Sequence, residues 1–164
     1  MTTNERSMNP SGIDCEDIEN PLVRKIVERY NELVKQGISC GTMNDYNKGN
    51  HTKHSKGGSG GCYVTTSCLD ALDLPKDSLE MKAIKVLTID HILKSLKGKK
   101  DYVLYGRRAP RIVEAIESRS DSQNIWRRVY GKLKEITESV LSEDYEKGYR
   151  DYKELVSGLE RQYA

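Results

Sequence analysis

Apolar residues recur at helical spacing in one segment after another of this chain, and no segment alternates apolar and polar residues as a strand does. Residues three or four positions apart share one face of a helix, so each segment predicts an amphipathic helix facing a common core. The 164 residues are the usual size of one domain. We therefore predict an all-α fold, a small bundle of about five to six helices with a glycine-rich loop after the first.

The first helix has clear start and stop signals. Asn20 is a favoured N-cap residue, Pro21 suits the first helical position, and Gly37 follows the last apolar residues of the pattern. The residues before it lack apolar periodicity, and those after it are polar and rich in glycine. The predicted division is a flexible tail over residues 1–19, a helix over 20–37, a loop or linker over 38–61 and a helical domain over 62–164.

Inside that domain, cap residues and prolines predict the helix boundaries. Thr65 or Thr66 is predicted to cap a short helix. The capping-box spacing that begins at Asp77 predicts a long helix continuing to Gly98. Pro110 is placed in the first turn of the next helix, because a proline inside a helix costs about 3 kcal/mol. Two further helices are marked by apolar repeats, Ile125, Val129, Leu133, Ile136 and Val140 in one and Tyr145, Tyr149, Tyr152, Leu155, Val156 and Leu159 in the other.

Charge and hydropathy limit the classes of partner. The chain has 27 basic and 25 acidic residues and a net charge of +2, so any site for a polyanion must be local. No apolar run approaches the roughly 20 residues of a membrane helix, and residues 1–10 are polar where a secretory signal is apolar. We expect a cytoplasmic protein whose four cysteines are free thiols, with no membrane or nucleic acid as partner.

Residues 60–68, Gly-Gly-Cys-Tyr-Val-Thr-Thr-Ser-Cys, concentrate nucleophilic and hydrogen-bonding side chains where the loop is predicted to meet a helix. Backbone amides at a helix N-terminus stabilise an anion and lower the pKa of a thiol. Cys62 is therefore the candidate nucleophile, and His91, which follows Asp90, is the candidate base. In the alternative interpretation, Cys62 and Cys68 are small buried residues, His91 is an ordinary helical residue and the threonines only cap.

Metal and nucleotide motifs do not fit the sequence. The spacing of Cys62, Cys68, His51 and His54 is not that of a zinc ribbon. The pattern Gly-x4-Gly-Lys-Ser/Thr of a P-loop is absent. We therefore predict no metal and no cofactor.

A basic and aromatic cluster lies between residues 99 and 111. Such a mixture can hold a phosphate or a single-stranded nucleic acid. A solvated helix face explains it as well, and the balanced total charge favours that interpretation. The cluster consists of Lys99, Lys100, Tyr102, Tyr105, Arg107, Arg108 and Arg111.

The motif at residues 60–66 resembles that of the CFI-box family, a bacterial group whose mark is Gly-Gly-Cys-aromatic-aliphatic-Thr/Ala-Thr-Ala. Residues 84–89 and 105–110 look like two later motifs of the family, and roughly residues 58–164 are covered. The chain departs from the family at Thr88, Ile89 and Gly106, where the family has an arginine, an aspartate and a tyrosine. The resemblance implies a small helical module, often joined to other domains through glycine-rich linkers, in which Cys62 is the marked residue.

These observations predict a helical adaptor or regulatory module with a site centred on Cys62 for a protein, peptide or small-molecule ligand, or for a modification. The predicted binding residues are Thr65, Thr66, Cys68, Lys85, Tyr105 and Arg108. One alternative is a cysteine-nucleophile hydrolase or acyltransferase in which His91 is the base, including self-processing at the bond between Gly61 and Cys62. Another is polyanion or nucleotide binding through the basic cluster at residues 99–111.

Overall fold

A computed structural model describes residues 20–37 and 63–164 of the chain. These residues are 83% helical, with six α-helices and no strand, which confirms the all-α prediction. The elements are α1 Pro21–Lys35, α2 Tyr63–Ala71, α3 Leu79–Asp90, a 3₁₀ helix Ile92–Lys94, α4 Leu96–Glu117, α5 Ser122–Leu141 and α6 Tyr145–Tyr163. The predicted tail, the predicted loop and Cys62 lie outside the described residues.

Helix α1 begins and ends as its local signals predict. The Asn20 side chain accepts a hydrogen bond from the backbone N–H of Leu22 at 3.0 Å, and Gly37 has a φ of +70°, a left-handed conformation that suits glycine. The apolar face of α1 adds Ile26 and Leu33 to the same core as the later helices. The Arg29 guanidinium also binds both oxygens of the Asp90 carboxylate at the end of α3, each at 2.7 Å.

Helix α2 begins earlier than its sequence predicts. It starts at Tyr63, so the prediction that Thr65 or Thr66 caps it is wrong. Thr65 is instead completely buried in the first turn. The backbone N–H of Val64 donates to the hydroxyl of Tyr105 in α4 at 3.1 Å. A side chain 41 residues away in the sequence thus supplies the partner that a local cap residue normally provides.

The predicted long helix ending at Gly98 is two helices, so that prediction is wrong. Helix α3 ends at Asp90, His91 leaves helical geometry with φ −126° and ψ −61°, and Ser95 caps α4 by accepting from the N–H of Gly98 at 3.0 Å. The apolar pattern continues through this break because the 3₁₀ turn also buries its side chains. The start of α3 is close to the prediction, with Ser78 as N-cap one residue after Asp77.

Pro110 lies inside α4 rather than in its first turn, which corrects the prediction for this helix. A proline has no N–H to donate to the carbonyl four residues earlier. Pro110 is on the exposed side of the helix, where water can solvate the Gly106 carbonyl that loses this donor. The packing of the opposite face of α4, with Ala109, Ile112 and Ile116 fully buried, outweighs the local cost.

The core is built around α5, whose predicted apolar stripe is confirmed as buried. Trp126 is the largest completely buried side chain of the described residues. Helices α3 and α6 pack on α5, and α4 packs on α6 and α2. No helix in the described ranges is both long enough and apolar enough to span a bilayer.

Candidate functional site

A cleft of about 100 Å³ lies between α4 and α6. Four tyrosines line it, Tyr102 and Tyr105 from α4 and Tyr149 and Tyr152 from α6. Tyrosine offers a flat apolar ring and a hydroxyl that hydrogen-bonds, a combination that suits recognition sites. The sequence-predicted binding residues Tyr105 and Arg108 both lie in this cleft.

The tyrosine hydroxyls connect the cleft to α2. Tyr152 donates to the Tyr105 hydroxyl at 2.9 Å, and the Val64 N–H donates to the same oxygen at 3.1 Å. The two rings lie 5.6 Å apart between centroids with an angle of 51°. Tyr105 is 8% exposed and Tyr152 is 6% exposed, so this arrangement is held by packing as well as by hydrogen bonds. The start of α2 is therefore linked directly to the wall of the cleft.

Ion pairs form the polar edge of the cleft. Lys153 lies 3.1 Å from the Asp101 carboxylate, which also accepts a hydrogen bond from the Tyr149 hydroxyl. That hydrogen bond and Lys153 lower the pKa of Asp101, so this carboxylate is charged at neutral pH. Burial and the same bond raise the pKa of Tyr149, which stays protonated. Arg108 pairs with Glu160 at 3.3 Å.

The other predicted binding residues lie elsewhere. Thr65 and Cys68 face the core from α2, and Thr66 is half-buried on the same helix. The Lys85 ammonium lies 5.5 Å from the ring centroid of Tyr30 in α1, outside the cleft. Only Tyr105 and Arg108 of the predicted set therefore share one site, and α2 reaches it through the Val64 amide rather than through its side chains.

Cys68 is a buried thiol. It donates to the Trp126 carbonyl oxygen at 3.3 Å and has no exposed surface. Burial, with a smaller contribution from Glu80, raises the pKa of Cys68 to about 12. The thiol is therefore neutral at physiological pH and fits the interpretation of a small core residue.

His91 contacts α6 rather than α2. Its ring stacks on Tyr145 at 6.0 Å and meets the edge of Tyr149 at 6.0 Å, and its Nε2 lies 3.4 Å from a carboxylate oxygen of Glu146. Cys62 lies outside the described residues, so the predicted Cys62–His91 pair stays a prediction. Tyr149 belongs to the tyrosine cleft, which places His91 beside that cleft.

The sequence does not reveal the α6 wall of the cleft. The spacing of Tyr149 and Tyr152 predicts correctly that both face the core. It does not predict that both also line a cleft. The composition held a signal, because the chain has ten tyrosines and no phenylalanine. A core that consistently uses Tyr where Phe would pack equally well indicates that its hydroxyls form hydrogen bonds.

Two buried threonines test how much a hydrogen bond to a buried hydroxyl contributes to stability. Among the described residues the Thr65 hydroxyl has no hydrogen-bond partner, whereas the similarly buried Thr88 hydroxyl donates to the Ile84 carbonyl at 2.8 Å. A buried hydroxyl without a partner costs free energy, so Thr65→Val is expected to raise the free energy of unfolding by about 1 kcal/mol. Thr88→Val is the matched control and is expected to lower it by about 1 kcal/mol. Urea unfolding followed by circular dichroism measures both, and equal destabilisation by the two variants contradicts the prediction.

Comparison of the chain with protein-family models, with curated proteins and with solved structures finds no match. The resemblance to the CFI-box family therefore stays a prediction. No group of three His, Cys, Asp or Glu side chains within residues 20–37 and 63–164 is arranged to hold a metal ion. The function is accordingly inferred from the geometry of the cleft.

Proposed function

We propose that this protein is a helical binding module that recognises a short peptide. One apolar or aromatic side chain of the peptide inserts between α4 and α6. The tyrosine cleft supports this proposal through its size and its lining. Sites for whole small molecules usually enclose about 300–1,000 Å³, so a cleft of about 100 Å³ suits a single side chain. One deeply buried anchor surrounded by weaker contacts is the usual pattern of peptide and protein recognition.

The ion pairs at the edge of the cleft support a peptide ligand. Arg108 and Glu160 are about half-exposed and a third exposed, and exposed pairs of this kind add little to folding stability. Their charges can therefore be redirected to a bound peptide at small cost. Lys153 and Asp101 offer a second pair of opposite charges on the same edge.

We propose further that Cys62 is the reactive thiol of the module and that its modification alters peptide binding. Helix α2 begins at Tyr63, the next residue in the sequence, and its Val64 amide binds a tyrosine of the cleft. A change at Cys62 that shifts the first turn of α2 would therefore displace the Tyr105 hydroxyl. The alternative of a cysteine-dependent hydrolase or acyltransferase needs contact between Cys62 and His91, and Cys62 lies outside the described residues.

A peptide selected on the full chain tests the proposed site. Ser157 is exposed and lines the cleft, so Ser157→Trp is expected to cover the cleft without disturbing the core. A random peptide library displayed on phage supplies the probe. A peptide enriched on the wild-type chain is then synthesised, and its dissociation constant is measured by fluorescence anisotropy. We expect Ser157→Trp to weaken binding about tenfold or more, the loss of about 1.4 kcal/mol from one blocked anchor.

Glu138→Trp is the matched control, because Glu138 is an exposed residue of α5 outside the cleft. It adds the same side chain to the surface and is expected to leave the dissociation constant unchanged. Enriched peptides that bind both tryptophan variants as tightly as the wild-type chain would contradict the assignment of the cleft.

A further inference from the structure

Basic residues are concentrated at Lys94 and in the first sixteen residues of α4. Residues 94–111 contain seven basic residues and one acidic residue, whereas the whole chain has a net charge of only +2. The rest of the chain is therefore net acidic. Such a separation orients a protein toward an anionic surface even when its total charge is small.

The basic residues of this segment are exposed and largely unpaired. All seven are solvent-exposed, and among the residues that the structure describes only Arg108 forms an ion pair within 4 Å, with Glu160, while Lys97 acts electrostatically on Asp101. Charges without a carboxylate partner lose no existing interaction when they bind an anion. Their electrostatic attraction is therefore fully available to a partner.

An exposed leucine lies at the N-terminal end of this helix, beside the lysines of the segment. Leu96 is 78% exposed, the highest value among the large hydrophobic residues of the described ranges. Lys100, Arg107 and Arg111 follow it at intervals that keep all four side chains within about 60° around the helix axis. These four residues, here called the basic face of α4, extend for about 22 Å along the helix.

The aromatic residues of the same segment point away from the basic face. Tyr105 is buried, and it lines the cleft toward α6 together with Tyr102. Single-stranded nucleic acids bind by stacking bases on exposed aromatic rings beside basic residues. Lysine and arginine on the same helix face as an exposed leucine instead match an anionic bilayer, where the apolar side chain enters the headgroup region.

We propose that the basic face of α4 binds an anionic phospholipid surface, with Leu96 inserted among the headgroups and the surrounding cations paired with lipid phosphates. This peripheral contact is separate from the proposed peptide site, because none of the four residues lines the tyrosine cleft. It also revises the sequence-based expectation of no membrane partner. That expectation depended on the total charge and on the absence of an apolar span, and neither reports the charge of a single helix face.

Sedimentation with vesicles tests this proposal on the full chain. The probes are vesicles of phosphatidylcholine alone and vesicles that contain about 30% phosphatidylserine. We expect binding to the anionic vesicles only, and weaker binding as the salt concentration rises. Lys100→Glu combined with Arg107→Glu is expected to weaken binding at least 30-fold, since each cation near a membrane surface contributes roughly a factor of five. Leu96→Ser is expected to weaken it about tenfold.

A matched double variant on another helix separates the effect of local charge on vesicle binding from the effect of total charge. Arg127→Glu combined with Lys134→Glu makes the same change in net charge on exposed positions of α5, and it is expected to leave vesicle binding within about twofold of the wild type. A single-stranded oligonucleotide is measured in the same buffer. Absence of binding to anionic vesicles overturns the proposal. So does vesicle binding that is insensitive to Leu96→Ser while the oligonucleotide binds equally tightly, because that result identifies a general polyanion site.

Discussion

Gly98→Ala is expected to lower the free energy of unfolding by about 3 kcal/mol or more, although alanine is the better helix former. A Cβ added at Gly98 would lie 1.7 Å from the carbonyl oxygen of Ile92 and 2.7 Å from its carbonyl carbon. Both are backbone atoms of the 3₁₀ turn, so they move only if the connection between α3 and α4 moves. Overpacking against a side chain costs about 1–3 kcal/mol, and a backbone clash is less easily relieved.

Gly106→Ala is the matched control in the same helix. Within the described part of the chain, no atom beyond the neighbouring helix backbone lies within 4 Å of a Cβ added there. The substitution is therefore expected to stabilise the protein by about 0.5–1 kcal/mol through lower backbone entropy of the unfolded chain. Urea unfolding followed by circular dichroism measures both variants. The predicted close approach at Ile92 is contradicted if Gly98→Ala lowers the free energy of unfolding by less than about 1 kcal/mol. It is also contradicted if both variants change the free energy of unfolding in the same direction.

Cys68 is expected to react with iodoacetamide at least a thousandfold more slowly than Cys62 near neutral pH. The thiolate is the reactive form, and burial raises the pKa of Cys68 to about 12, against about 8.5 for an ordinary thiol. A raised pKa keeps the thiol protonated as the pH rises, and three pH units correspond to about a thousandfold less thiolate. We expect Cys62, which directly precedes α2 in the sequence, to titrate below the ordinary thiol value of about 8.5 because helix amides stabilise its thiolate.

Mass spectrometry of the alkylated chain at a series of pH values identifies each thiol. Cys62→Ser is expected to remove the fast reaction, and unfolding in urea is expected to make Cys68 react as fast as an ordinary thiol. Fast labelling of Cys68 in the folded chain would show that its burial is incomplete. A midpoint for Cys62 at or above about 8.5 would exclude activation by the helix and leave peptide binding without a role for the thiol.

Local patterns were sufficient where neighbouring residues decide the structure. The start of α1 at Pro21 follows from a cap residue and a proline that act within one turn. The apolar stripes of α5 and α6 were also predicted correctly, because helical spacing by itself assigns the buried face.

Contacts between different elements decided the features that the sequence did not reveal. The helix ends before His91 although the apolar pattern continues. Because Gly98 has no Cβ, the first turn of α4 can pack directly on the Ile92 carbonyl after this break. In the first turn of α2, the Val64 N–H donates to the Tyr105 hydroxyl of α4. Neither contact leaves a periodic signal in the sequence, since each joins residues from different elements.

The sequence by itself determined the fold class of this protein, and it predicted Tyr105 and Arg108 as binding residues. Only the tertiary structure decided that these two residues form a cleft with α6, in which Tyr105 meets Tyr152 across 47 positions of the chain. It also decided that Cys68 is part of the core and that Lys85 lies against α1. The physical reason is that periodicity records which face of a helix is buried, whereas a site depends on which two faces are packed against each other.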